Sequence, residues 1–108
     1  MERRREERFQ LELIVRVWGI DTDGRPFEQD AITVDLTRTG VRLRGICHPI
    51  EPGSVLQINH QDNKAKFRVR WVGGNELKDH IGLELLEGEQ FYWSRTIPLA
   101  PVDSRKQP

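Results

Sequence analysis

Ala31-Ile32-Thr33-Val34-Asp35-Leu36-Thr37-Arg38-Thr39-Gly40-Val41-Arg42-Leu43 is the stretch that decides the fold. Apolar and polar side chains alternate from Ala31 to Leu36, break at Thr37 to Gly40, and alternate again from Val41 to Leu43. A period of two belongs to a strand with one buried face. The stretch therefore reads as two strands joined by a short reversal. Ile32, Val34 and Leu36 are assigned to the buried face, and Thr33, Asp35 and Thr37 to the outward one. Gly40 suits the reversal because glycine takes the positive φ that tight turns often need.

The same pattern recurs on either side. Leu11, Leu13, Val15 and Val17 alternate with Glu12, Ile14, Arg16 and Trp18. Asp21-Thr22-Asp23-Gly24 ends that run with a hairpin signal. It resembles the start of a calcium loop, but Ile32 stands where the twelfth loop position needs a glutamate. Past the loop holding Pro49 and Pro52, strands are expected over 55–59, 65–72 and from Ile81 to Leu85, with Gln61-Asp62-Asn63-Lys64 and Gly73-Gly74-Asn75 as breaks. Phe67, Val69 and Trp71 are assigned to one face of the fifth strand, and Lys66, Arg68 and Arg70 to the other. Residues 87–96 carry acidic side chains early and end before Pro98, the pattern of a short helix. Its Phe91, Trp93 and Ile97 are expected to dock on an open barrel end. Short strands with no helix between them imply an all-β antiparallel barrel or sandwich with one late C-terminal helix.

The totals narrow the function. A chain of 108 residues is one domain. Hydrophobic residues make up 36% and charged residues 31%, so a small core sits under a heavily charged surface. A net charge of +0 argues against binding a nucleic acid polymer or an anionic membrane in bulk. Cys47 is the single cysteine and excludes an internal disulfide. With no signal-like start and no apolar run of membrane length, a cytoplasmic location is expected. Residues 1–9 read as a flexible Arg-rich arm, 10–97 as the barrel with its helix, and 98–108 as a disordered tail.

No enzyme chemistry stands out. His48, His60 and His80 are scattered in loops and at strand ends and read as surface residues. Cys47 beside His48 lacks the spaced partners of a metal site, and no cofactor or metal is expected. The outward Arg16, Arg42, Arg44, Arg68 and Arg70 read as cross-strand ion pairs. Two stretches differ in character: Glu2-Arg3-Arg4-Arg5-Glu6-Glu7-Arg8 and Asp35 to Gly40. Arginine donates through a planar fork and stacks on flat rings. An exposed aspartate accepts from the N1-H and N2-H edge of guanine. Together with a hydroxyl they can form a guanine-nucleotide site.

Arg4 and Arg8 form Arg-x-x-x-Arg before Phe9, and Asp35-x-Thr37-x-x-Gly40 follows about two strands later. This pair of motifs resembles the PilZ domain, whose pattern is Arg-x-x-x-Arg followed by Asp/Asn-x-Ser-x-x-Gly. Trp71-Val72-Gly73 and Ile81-Gly82-Leu83-Glu84 are similar to late stretches of that family, so the likeness runs from about Glu2 to Phe91. It implies a six-stranded antiparallel β-barrel with a C-terminal helix and a receptor for cyclic di-GMP. Arg4 and Arg8 would hold phosphate and guanine, with Arg3 and Arg5 flanking them. Asp35 and Thr37 would bond a guanine, Gly40 would shape the turn, and Trp71 would stack on the ligand or serve the core. Thr37 departs from the usual serine by a methyl that restricts χ1. The expected partners are cyclic di-GMP and a downstream protein, and a homodimer is compatible with the pattern. The alternative is a PilZ-like adaptor that works through protein contacts and no longer binds nucleotide.

Overall fold

The structure, a computed structural model, describes residues 8–91. Six strands form it: β1 (Ile14–Ile20), β2 (Pro26–Leu36), β3 (Gly40–Arg44), β4 (Val55–His60), β5 (Asn63–Val72) and β6 (Ile81–Leu85). They close into one barrel in the order β1-β2-β3-β6-β5-β4, with β4 returning to β1 and every pairing antiparallel. Closure satisfies both edges of every strand. Thr37 to Thr39 link β2 to β3, Gln61 and Asp62 link β4 to β5, and a 3₁₀ turn at Asn75–Leu77 lies between β5 and β6. Asp21 builds the β1–β2 hairpin: its Oδ1 accepts from the amides of Asp23 and Arg25, both at 2.9 Å. No helix among the described residues is long and apolar enough to cross a membrane.

Inward side chains of all six strands fill the barrel. Val15 and Val17 (β1), Leu36 (β2), Leu43 (β3), Leu56 and Ile58 (β4), Phe67 and Val69 (β5) and Ile81 (β6) are almost wholly buried. Each large apolar side chain removed from water contributes about 1.5–3 kcal/mol. Phe91 joins this core edge-on to Phe67, with ring centroids 5.6 Å apart. Ile14, on the outward face of β1 as its alternation requires, is 68% exposed.

Two irregularities change the expected faces. The β2–β3 register shifts between Thr33 and Asp35, so Val34 is an extra residue in β2. A bulge of this kind reverses the inward phase of everything beyond it. Before it, Ala31 and Thr33 point inward and are buried, while Ile32 and Val34 are only half-buried. The expected burial of Ile32 and Val34, and the outward placement of Thr33, are therefore corrected; Leu36 keeps its inward place, and Asp35 stays on the outer wall but is buried there at 7% and not exposed as expected. Thr33 is tolerated inside because its hydroxyl is satisfied: it donates to the Leu11 carbonyl and accepts from the Leu13 amide at 2.8 Å. The second shift lies between Val69 and Trp71 in β5 and leaves Arg70 as the extra residue. It turns Trp71 off the inward face of Phe67 and Val69 and onto the outer wall, where it is 40% exposed.

Three further expectations change. Leu86 to Glu89 form a turn closed by the Glu89 amide donating to the Leu86 carbonyl at 3.0 Å, with Gly88 at φ +89°, not the start of a helix; residues 92–96 of the expected helix, with Trp93, and Ile97 lie outside the described residues. His60 is buried at the end of β4, with Nδ1 3.4 Å from the Ile14 carbonyl, so it is not a surface residue. Gly40 opens β3 without a positive φ. What favours glycine there is close approach: a Cβ would lie 3.2 Å from the Leu83 carbonyl oxygen and 3.3 Å from Thr37 Oγ1.

Candidate functional site

The segment before β1 sets the first part of the site. It runs back along the end of β2, where Phe9 and Leu36 exchange two backbone hydrogen bonds of 2.8 Å. Phe9 packs against the core. The base of the Arg-rich arm is thus paired with β2, and Arg8 is delivered to Asp35. Arg8 Nη1 lies 3.3 Å from Asp35 Oδ1, with the carboxylate side chain only 10% exposed and the arginine side chain 62% exposed. The carboxylate is held in place; the guanidinium remains largely in solvent. Arg3, Arg4 and Arg5 lie outside the described residues.

The turn after Asp35 is shaped by Thr37. Its Oγ1 accepts from the Gly40 amide at 2.9 Å and from the Thr39 amide at 3.3 Å, while the Thr37 amide donates to the Gly40 carbonyl at 2.9 Å. A hydroxyl that accepts from the amides ahead of it offers the backbone a local turn. Among the described residues its own proton meets only the Gly40 carbonyl, at 3.5 Å. Thr37 therefore builds the turn and retains a weakly used donor.

The strand registers align the rest. Asp35 pairs with Arg42, Arg42 with Gly82, and Gly82 with Trp71, one residue from each of β2, β3, β6 and β5. Arg42 lies between inward Val41 and Leu43, and Gly82 between inward Ile81 and Leu83, so the row runs across the outer wall. Gly82 leaves a gap that the indole fills: a Cβ there would stand 2.1 Å from Trp71 Nε1. The Arg42 guanidinium carbon lies 5.6 Å from the Trp71 ring centroid, within cation–π range. Arg8, Asp35, Thr37, Gly40, Arg42 and Trp71 are among the residues lining one open cleft of about 340 Å³.

Of the expected site residues, Arg8, Asp35, Thr37, Gly40 and Trp71 meet at this cleft. Arg42 was read as an ion-paired surface arginine, yet it sits in the middle of the row. The ion-pair reading holds for Arg16, which meets Glu28 and Asp30, for Arg44, which meets Glu12, and for Arg70, which meets Glu84, at 3.1–3.3 Å. It is corrected for Arg68, whose Nη1 donates to the Gly53 carbonyl at 3.1 Å and which meets no carboxylate among the described residues. The alternation placed Arg42 outward but carried no signal for its neighbours across the sheet. Among the described residues no three His, Cys, Asp or Glu side chains group closely enough to hold a metal ion. The chain matches no protein-family model and no curated protein.

Proposed function

We propose that the protein is a receptor for cyclic di-GMP, bound on the outer wall between Asp35 and Trp71. The observation that carries this reading is convergence: Arg8 from the start of the chain, the Asp35–Gly40 turn and Trp71 line a single cleft. Its volume is in the range of small-molecule sites. Among the described residues Asp35 has acceptor capacity beyond its contact with Arg8, and an ionised carboxylate suits the N1-H and N2-H edge of a guanine. Arg8, largely in solvent, can turn to phosphate or to guanine O6 and N7. Trp71 offers a flat face for a base. Arg4, with Arg3 and Arg5 beside it, is assigned to the phosphates. The role is binding, with no catalysis; ligand draws the Arg-bearing segment onto the wall, and a downstream protein in the bacterial cytoplasm reads the changed surface.

Calorimetric titration with cyclic di-GMP tests the reading. Binding is expected, and Arg8→Ala and Asp35→Ala should each weaken it about tenfold or more, since charge-assisted bonds carry the affinity. Both variants should remain folded. No heat at high-micromolar ligand would sink the receptor reading.

One surface favours the second reading, an adaptor that works without nucleotide. Trp18, Ile20 and Val55 are 42%, 60% and 40% exposed and line a separate, mainly apolar cleft. Exposed apolar clusters mark contact surfaces. A partner that co-purifies equally with and without cyclic di-GMP would favour this reading.

A further inference from the structure

We infer that Arg42 is an anion-binding residue of the same cleft, held ready by His80 and Trp71 to take a phosphate group of the ligand; this rests on the receptor reading above. Arg42 Nε donates to His80 Nδ1 at 3.3 Å, and Nη2 lies 3.2 Å from the same nitrogen. One edge of the planar fork is thereby clamped, and its Cζ lies over the Trp71 ring. The remaining donors of the fork, Nη1 above all, meet no partner among the described residues. Among the described residues no carboxylate lies within 4.0 Å of Arg42, whereas Arg8, Arg16, Arg44 and Arg70 each meet one. Its charge is thus not neutralised by a local acid, although Asp35 is its direct register partner. Asp35 is engaged by Arg8 instead.

This arrangement suits capture of an anion. A guanidinium already fixed in orientation loses less freedom on binding than a free side chain. Arg42 stands between Asp35 and Trp71 in the row. A guanine held by Asp35, or stacked on Trp71, would therefore carry its attached phosphate past Arg42. His80 is a positioning residue: it holds the fork and touches no ligand.

The test is titration of the full chain with cyclic di-GMP, comparing the native protein with Arg42→Gln. A loss of about tenfold or more, with an unchanged thermal midpoint, is expected for one charge-assisted contact. The loss should shrink between about 50 mM and about 500 mM salt, because a contact in an open cleft is screened. Should Arg42→Gln unfold, Arg42→Lys is read instead; it keeps the charge but loses the fork, and the expected loss is about threefold or more. Native-like affinity in a folded variant overturns the assignment of Arg42 while leaving the receptor reading intact. A loss that does not change with salt also overturns it, because Arg42 would then act only by packing against Trp71. Failure of the native protein to bind overturns both.

Discussion

Gly82 is the residue on which the platform of the cleft depends. A Cβ at this position would stand 2.1 Å from Trp71 Nε1, 2.4 Å from Cε2 and 2.8 Å from Cδ1, so the indole lies directly over the backbone of β6. The obstacle is a half-exposed side chain and not backbone, so it can move aside. Gly82→Ala should leave the barrel folded, at a stability cost of about 1 kcal/mol, and lift Trp71 off the wall. Two readouts follow. Tryptophan emission should shift to the red as the ring enters water, and affinity for cyclic di-GMP should fall about tenfold if a base stacks there, as stacking contributes about 1–3 kcal/mol per base. Unchanged emission would mean that the ring has another resting place. Gly73 is the contrasting case: a Cβ there would meet the Leu77 carbonyl oxygen at 2.1 Å, an obstacle of backbone that cannot swing away.

At the scale of the element, the bulge at Val34 determines which way Asp35 faces. It lets β2 begin with Ala31 and Thr33 inward and end with Leu36 inward and Asp35 outward. Deleting Val34 removes the extra residue and lets Thr33, Asp35 and Leu36 alternate without a break, so Thr33 and Leu36 stay inward and Asp35 stays outward. The native faces are kept, and the deletion should cost less than about 3 kcal/mol. Leu36→Asp, which does place a carboxylate where a leucine is wholly buried, should cost more than that. Urea denaturation should report a folded Val34 deletion and a Leu36→Asp variant that is unfolded or close to it. An unfolded deletion variant would show that the barrel needs the local twist of the bulge. The bulges also mark the limit of what the sequence made legible. Alternation located β3, β4, β6, most of β1, and β5 as far as Val69, because the pattern runs unbroken over those residues. One extra residue leaves composition and spacing unchanged, so the faces of Ile32, Thr33, Val34 and Trp71 were misassigned by a strict period of two. Asp35, Thr37 and Gly40 were legible as a local cluster, and their link to Arg8 rested on a family likeness. The row through Arg42, Gly82 and Trp71 depends on strand registers between residues up to 40 positions apart, and nothing local encodes those.

For the whole molecule, the site exists only when the barrel is closed and the segment before β1 is paired with β2. Arg8 stands beside Asp35 because Phe9 bonds Leu36, and Trp71 stands beside Arg42 because β5, β6 and β3 are in register. The unfolded chain gathers none of these groups, so a ligand of the cleft binds the native state alone and must raise its stability. At a free ligand concentration about 100 times the Kd the gain is about 2.7 kcal/mol. For a domain of this size each kcal/mol raises Tm by about 4–8 °C, so the midpoint should rise by about 10–20 °C. Arg8→Ala separates ligand from fold. The pair it breaks has a 3.3 Å contact and an arginine side chain that is 62% exposed, so the ligand-free midpoint should move by the equivalent of about 1 kcal/mol or less. With cyclic di-GMP at the same concentration, a tenfold weaker site should give a gain smaller by about 1.4 kcal/mol, or several degrees. Equal rises for the native protein and Arg8→Ala would show that the ligand engages a surface away from Arg8. Thermal melts of both proteins, with and without ligand, read the two effects separately.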